Sequence, residues 1–322
     1  MKSVGFAVLG VGTVAVDDFL YVSQFPPPDE KVRVLSKNRK VGGLIATALA
    51  AAARAGASCA YIGTLGVDEL SKTVREGFKN VGVDTSHAMV DGQNSIVHSV
   101  TVVGQQHSTR NCFFHLPMEP LRGEQVDEQT IGSSAVLIVD QLGKEAARYA
   151  RRLGIPVVAD MEWSDWPDCR EMMQMVDHLI VSRSFACAIT GAADPVDALL
   201  VLHRQSRRAC TAVTSGSNGV YYLSGHEMNP PGALPAFPVQ AVETTGCGDV
   251  LHGVYAASLA RKKTVMECLR YGAAAAALYA SKPSGWEYLP TWAEIEALIT
   301  RTVKVLEWPN DSEPGRSRAP DV

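Results

Sequence analysis

The chain has no C-x-x-C pair, no G-x-x-x-x-G-K-[ST] loop and no excess of basic charge. Its seven cysteines (59, 112, 169, 187, 210, 247 and 268) are scattered and odd in number. That argues against a disulfide framework or a zinc site and for reduced thiols in a cytoplasmic protein. A formal net charge of −4 removes the electrostatic case for nucleic acid or an anionic membrane as partner. Without the lysine-bearing phosphate loop the chain is not a P-loop protein. The eight histidines show no spacing that would put two on one helical face, so none forms an obvious metal pair. The apolar stretch Val4–Val16 is too short to span a membrane, and Gly10 and Gly12 interrupt it. Cleavage there, as for a signal peptide, would remove a strand that later motifs need, so it reads as a buried first strand.

With 322 residues, 46% of them hydrophobic, the chain can bury a large core. Compact apolar runs at Ala135–Asp140, Ile155–Asp160, His178–Ser182 and Ala209–Thr214 alternate with helical stretches at Lys144–Leu153, Cys169–Val176 and Pro195–Arg208. Such alternation predicts a parallel sheet covered on both faces. Two stretches break the rhythm. Asp18–Ser36 carries three prolines and then the alternating Lys31–Leu35, and Ser95–Phe114 reads as two strands around a polar turn at Gly104–Arg110. Their half-alternating pattern predicts a small second sheet. Residues 308–322 are polar and rich in proline and glycine, and read as a disordered tail.

The most informative string is Glu243-Thr244-Thr245-Gly246-Cys247-Gly248-Asp249, placed between a β-prone segment (Phe237–Val242) and an apolar helix (Val250–Ala260). A Gly-x-Gly turn opening a helix leaves backbone N–H groups unpaired around a small cavity, and the helix dipole adds positive charge there. Asp249 follows at once, too close to be an anion ligand itself. A carboxylate beside an anion cradle suits removal of a proton from a hydroxyl that attacks a phosphoryl group. The plain alternative is an acid in a helix's first turn. Gly10–Ala15 imitates the dinucleotide fingerprint G-x-G-x-x-A, with acids at Asp29 and Glu30. That fingerprint needs a helix next, and Val14–Val22 followed by three prolines does not supply one.

Thr244 to Asp249 resembles the C-terminal signature of the PfkB, or ribokinase-like, carbohydrate kinases, with Cys247 at the usual alanine. Gly42-Gly43, the Ala-rich helix Ala46–Ala55, Gly56, Tyr61–Asp68 and Val81-Gly82-Val83 resemble the N-terminal signature in order. Val213–Gly219 resembles the family's nucleotide loop. The resemblance covers roughly residues 4–300. It implies a three-layer α/β/α sandwich with a mostly parallel central sheet and a small β lid, as one kinase domain over 1–307 with lid segments near 14–40 and 95–116. It implies an ATP-dependent phosphotransferase acting on a sugar or polyol hydroxyl, with MgATP, and with K⁺ as a further activator whose usual aspartate neighbour is Glu243 here.

By the same resemblance Asp249 is the general base and Gly246, Cys247 and Gly248 form the anion hole. Thr214, Gly216 and Gly219 flank the nucleotide. Asp17, Asp29, Gly42, Gly43, Thr47 and Arg110 serve the acceptor, Asp17 standing at the end of the first strand and Arg110 on the lid turn. A homodimer through the lid is expected. Thr47 and Leu44 replace polar residues of relatives, which puts ribose and fructose specificity in doubt. Where relatives carry the Asn-x-x-Glu magnesium motif this chain has Ser182-Arg183-Ser184-Phe185, and phenylalanine cannot hold a cation. Two other readings stay open: a nucleoside-type kinase, with Phe113 or Phe114 lining an aromatic pocket, and a degenerate kinase fold kept for binding. Asp160 and Glu162 read as acids capping a strand end. Cys247 reads as a tolerated replacement, its thiol made acidic by the helix N-terminus and open to thiol reagents.

Overall fold

The computed structural model describes residues 5–91, 96–106, 109–206, 208–225 and 230–303; the tail at 308–322 lies outside them. In chain order the strands are β1 (Phe6–Val11), β2 (Ala15–Val22), β3 (Ser36–Gly42), β4 (Cys59–Ile62), β5 (Thr64–Gly66), β6 (Val83–Asp84), β7 (Met89–Asp91), β8 (Val97–Gly104), β9 (Thr109–His115), β10 (Ser134–Val139), β11 (Val157–Met161), β12 (His178–Ser182), β13 (Cys210–Thr214), β14 (Val220–Ser224) and β15 (Gly232–Leu234). The helices are α1 (Leu44–Arg54), α2 (Glu69–Val81), α3 (Glu128–Gly132), α4 (Lys144–Leu153), α5 (Cys169–Met173), α6 (Arg183–Thr190), α7 (Pro195–Gln205), α8 (Cys247–Ala260), α9 (Val265–Ala280) and α10 (Trp292–Val303).

Nine strands form the central sheet in the order β15-β14-β13-β12-β11-β10-β1-β4-β6. From β13 to β6 every pairing is parallel, and β14 and β15 close one edge antiparallel. Successive core side chains point to opposite faces, as strand geometry requires. Val8, Ile138, Val158, Ile180 and Ala212 join one buried cluster with α1, α8 and α9. Leu9, Leu137, Ala159, Leu179 and Val213 join the other with α4, α6 and α7. This is the three-layer sandwich expected from the alternating pattern. Helix ends follow local chemistry: Asp68 caps α2 by accepting from Leu70 N and Ser71 N, and Gly82 ends it in the left-handed region.

A second sheet, in the order β3-β2-β8-β9, stands apart as the lid. Here the structure corrects the single first strand expected over Val4–Val16. The chain leaves the central sheet after Val11 and enters the lid at Ala15. Gly12 makes the break possible: its φ is +151°, and a Cβ there would lie 2.3 Å from Asp140 Oδ1. Asp17 therefore lies within β2 of the lid rather than at the end of β1. The alternating Lys31–Leu35 forms no strand, and its residues are exposed; the lid strand begins at Ser36. The β-prone Phe237–Val242 likewise pairs with no strand, because β15 already closes that edge and Pro238 lacks an N–H. Val242 N instead donates to Ala280 O at 2.7 Å.

β1 connects to β4 on one side, while β10 lies on its other side, so the strand order reverses between β1 and β10. Ligands of open α/β sheets bind outside the strand C-termini at such a switch point. Asp140 braces it, accepting from Thr13 N at 2.6 Å and from Leu142 N at 2.9 Å.

Candidate active site

The turn before α8 has the form the string predicts. Gly246 is left-handed at φ 83°, and the helical ladder begins with Val250 N donating to Gly246 O at 3.0 Å. The amides of Gly248 and Asp249 precede that ladder, and a Cβ at Gly248 would meet nothing within 4 Å. Cys247 N makes a long 3.3 Å bond to Thr244 O. The turn thus offers amides and open space together, which suits an anion.

Asp249 is half-buried at the mouth of this turn. Burial first, then Asp160, Glu162, Asp17 and Asp140, raise its carboxyl well above the usual range. A base so raised takes a proton from a hydroxyl more readily than an ordinary aspartate would. Asp160 is not a strand cap. Its Oδ2 lies 3.1 Å from His252 Nδ1, in a buried contact between β11 and α8.

The lid presents one face to this turn. Lys40, Asp17, Ser99 and Phe114 are register partners across its four strands, so they share that face. Ser99 Oγ donates to Asp17 Oδ1 at 2.6 Å, and burial raises the Asp17 carboxyl. Gly42 is required beside it, because a Cβ there would sit 2.0 Å from Asp17 Oδ2. Arg110 reaches down from β9 to Glu243 at 2.7 Å and to the Thr245 hydroxyl. Glu243 Oε1 also accepts from Thr245 Oγ1 at 3.0 Å and from the Thr244 and Thr245 amides. The lid is therefore fastened to the anion turn. Thr47 on α1 is 4% exposed and accepts from Trp286 Nε1 at 3.3 Å. Gly43, at φ 93°, packs against Thr13 and Ala15 backbone. Asp29 stands apart, exposed in a turn at φ 64°.

At the end of β13 the nucleotide-loop residues gather. Gly216–Asn218 is a tight 3₁₀ turn, Ser215 N donates to Gly219 O at 2.8 Å, and Thr214 Oγ1 donates to Val181 O at 3.4 Å. Among the described residues the buried Ser215 Oγ has no partner.

The family pattern described as pfkB family carbohydrate kinase matches residues 7–292. The chain belongs to the pfkB family. As a pfkB carbohydrate kinase it catalyses ATP-dependent sugar phosphorylation. It is 27% identical to the ribokinase of Haemophilus influenzae, over 88% of this chain and 95% of that one. It is 24% identical to the 5-dehydro-2-deoxygluconokinase of Bacillus licheniformis, over 91% and 96%. The structure of Arabidopsis thaliana ribokinase complexed with ribose and ATP superposes with a TM-score of 0.80 at 21% identity, covering 91% of this chain and 98% of that one.

Two features set this kinase apart from what its sequence suggests. Ser182 is the N-cap of α6, accepting from Phe185 N at 3.1 Å, and Phe185 is 2% exposed in the core. The stretch thus has a structural part to play. Cys247 is corrected too: burial first, then Asp249 and Glu243, push its thiol up to about 12. Those effects outweigh the helix dipole, so the thiol is not acidic. Cys247→Ala should keep activity within about twofold, and wild-type turnover should resist iodoacetamide at pH 8 even as the exposed Cys112 is alkylated. Rapid alkylation with loss of turnover would refute this. Sequence reading missed Ser99, Lys40 and His252; only the lid register and the β11–α8 contact reveal them.

Proposed function

We propose that this kinase transfers the γ-phosphoryl group of MgATP to a hydroxyl of a sugar or related polyol, with Asp249 as general base. The observation that supports this best is the place of Asp249 in the first turn of α8, beside amides that precede the helical ladder. Asp249 takes the acceptor's proton as the new O–P bond forms and the bond to ADP breaks. Amides of the Gly246–Gly248 turn hold charge on the transferring group, largely through position and electrostatics. Thr214, Gly216 and Gly219 flank the nucleotide. Asp17, steadied by Ser99 and given room by Gly42, grips acceptor hydroxyls, with Gly43 and Thr47 behind. Arg110 serves the acceptor side from the lid, and Asp29 joins only if the lid moves.

Among the described residues no group of three or more His, Cys, Asp or Glu is arranged to hold a metal ion. On this reading Mg²⁺ enters with the ATP phosphates, whose charge it offsets. Glu243 is occupied by Arg110 and Thr245, which weighs against K⁺ activation. A nucleoside-type acceptor is the second reading. Phe114, on the Asp17 face of the lid, stacks on Trp163 at 5.6 Å and 7°, offering a planar wall. Phe113 lies on the opposite face, stacked on Phe25. Exposed apolar side chains on that outer face support a homodimer through the lid. Among the described residues no single helix is long and apolar enough to cross a membrane. All seven cysteines are free, which fits a reducing cytoplasm.

The test is ADP release from MgATP over ketoses, aldoses, sugar acids and nucleosides. One class should turn over, and with it Asp17→Asn should raise KM about tenfold or more, with a smaller change in KM for ATP. No turnover with any acceptor would move the weight to a degenerate, ligand-binding kinase.

A further inference from the structure

A second cavity, of about 460 Å³, lies apart from the residues assigned to acceptor and nucleotide. It is bounded by the segment around Arg122, the start of α4 and the stretch from Trp166 to Met172. Asp17, Thr47, Arg110, Asp249 and the loop after β13 do not border it. Three groups at its wall call for an anion.

The first is the start of α4. Gly143 stands at its N-cap with no side chain closing it, and the ladder begins with Ala147 N donating to Gly143 O at 2.9 Å. The amides of Lys144 and Glu145, both residues of the cavity wall, precede that ladder, and the dipole of this ten-residue helix adds positive charge there. The second is Gln141, 1% exposed and also part of the wall. Its Oε1 accepts from Glu162 N at 3.4 Å, while among the described residues its Nε2 has no partner. A buried amide N–H without an acceptor is costly, and an oxygen placed in the cavity supplies one. The third is Arg122. Lys144 Nζ is held by Asp168 at 2.8 Å and Glu171 at 2.6 Å, and Glu145 by Arg148 at 3.1 Å. Arg122 is exposed and, among the described residues, in no ion pair, so the wall carries one unbalanced cation. Trp166, Leu121 and Met172 add an apolar side that suits a planar body.

The same wall reaches the lid. The Trp166 ring lies 5.8 Å from that of Trp163, which stacks on Phe114 of β9 at 5.6 Å. Gln141 holds the same stretch by the Glu162 amide. An occupant resting on Gln141 and Trp166 therefore bears on the segment that touches the lid's inner face.

We infer that this cavity is an effector site for a small organic anion with a planar apolar body. The anionic group sits on the α4 amides, Gln141 and Arg122, the body lies on Trp166, and the occupant acts on the lid through Trp163.

Calorimetric titration of the full-length protein in saturating MgATP tests the site, with 2-naphthoate as ligand and 2-naphthamide as its neutral counterpart. The naphthoate should bind at one equivalent with Kd below about 1 mM, and the amide at least about tenfold more weakly. Trp166→Leu and Arg122→Gln should each weaken the naphthoate by about tenfold, and Asp249→Asn should not. Arg122 is exposed, so its variant decides even if Trp166→Leu fails to fold. No binding, equal binding of the amide, binding seen only without MgATP, or binding untouched by Arg122→Gln overturns the inference. These readouts need no turnover, so they stand whether or not the kinase mechanism proposed above does. With an acceptor that turns over, naphthoate should shift its KM by about fivefold or more, and Trp163→Leu should bind naphthoate but lose the shift. An unmoved wild-type KM overturns the link to the lid.

Discussion

Asp249→Asn should lower kcat by about 10³-fold while leaving the affinity for MgATP within a few-fold of wild type. The magnitude follows from the share of rate that a positioned general base supplies, about 10²–10⁴. Asparagine keeps the size and the place at the head of α8 but cannot accept the acceptor's proton. The proposed nucleotide site is built from amides of the turn and the loop after β13, which the change leaves in place. The pH dependence has a definite sign. Burial and the carboxylates around Asp249 raise its pKa, so on acidification it is protonated before an ordinary aspartate would be. Wild-type kcat/KM should therefore fall on the acid side and level off above the raised pKa. The Asn variant should lack this limb. Calorimetric titration of nucleotide beside steady-state ADP release would check both halves. Residual activity above about a tenth of wild type would remove Asp249 from the role of base.

The largest effect on stability should come from Gly253→Ala, in the middle of α8. A Cβ at this position would lie 2.0 Å from Ala48 O, 2.7 Å from Ala48 C and 2.9 Å from Ala48 Cα. These are backbone atoms of α1, so no rotamer change relieves the clash. The two helices must separate instead. Overpacking of this kind costs about 3 kcal/mol, which for a domain this size lowers Tm by roughly 4–5 °C. Activity should fall as well, because α1 carries Thr47 and α8 carries Asp249, and the cleft between them would open. Gly248→Ala is the control: its Cβ meets nothing within 4 Å, so it should melt close to wild type. Denaturant and thermal melts of the two variants decide the matter. A Gly253→Ala protein melting within about a degree of wild type would show that α1 and α8 can part without cost.

Much of the central domain was legible because its signals are local. His178–Ser182 and Lys144–Leu153 appear with the bounds their apolar pattern predicts. The Gly246–Asp249 turn also needs only its own residues, since glycine tolerates the left-handed φ and a helix start leaves amides unpaired. The break at Gly12 was less legible. Apolar residues continue on both sides of it, and what bars a side chain there is Asp140, more than a hundred residues away.

The sequence by itself determined the sandwich and the Gly246–Asp249 turn at the head of α8, because periodicity and glycine placement act over a few residues. Tertiary structure decided the rest. Lid register brought Asp17, Ser99 and Phe114 onto one face. Lid docking turned Glu243 from a departure in the signature into the partner of Arg110. Packing of α8 on β11 and β12 enclosed His252 between two carbonyls and Asp160. Each depends on burial and on groups brought together from distant parts of the chain, and electrostatic interactions grow strong only where water has been excluded.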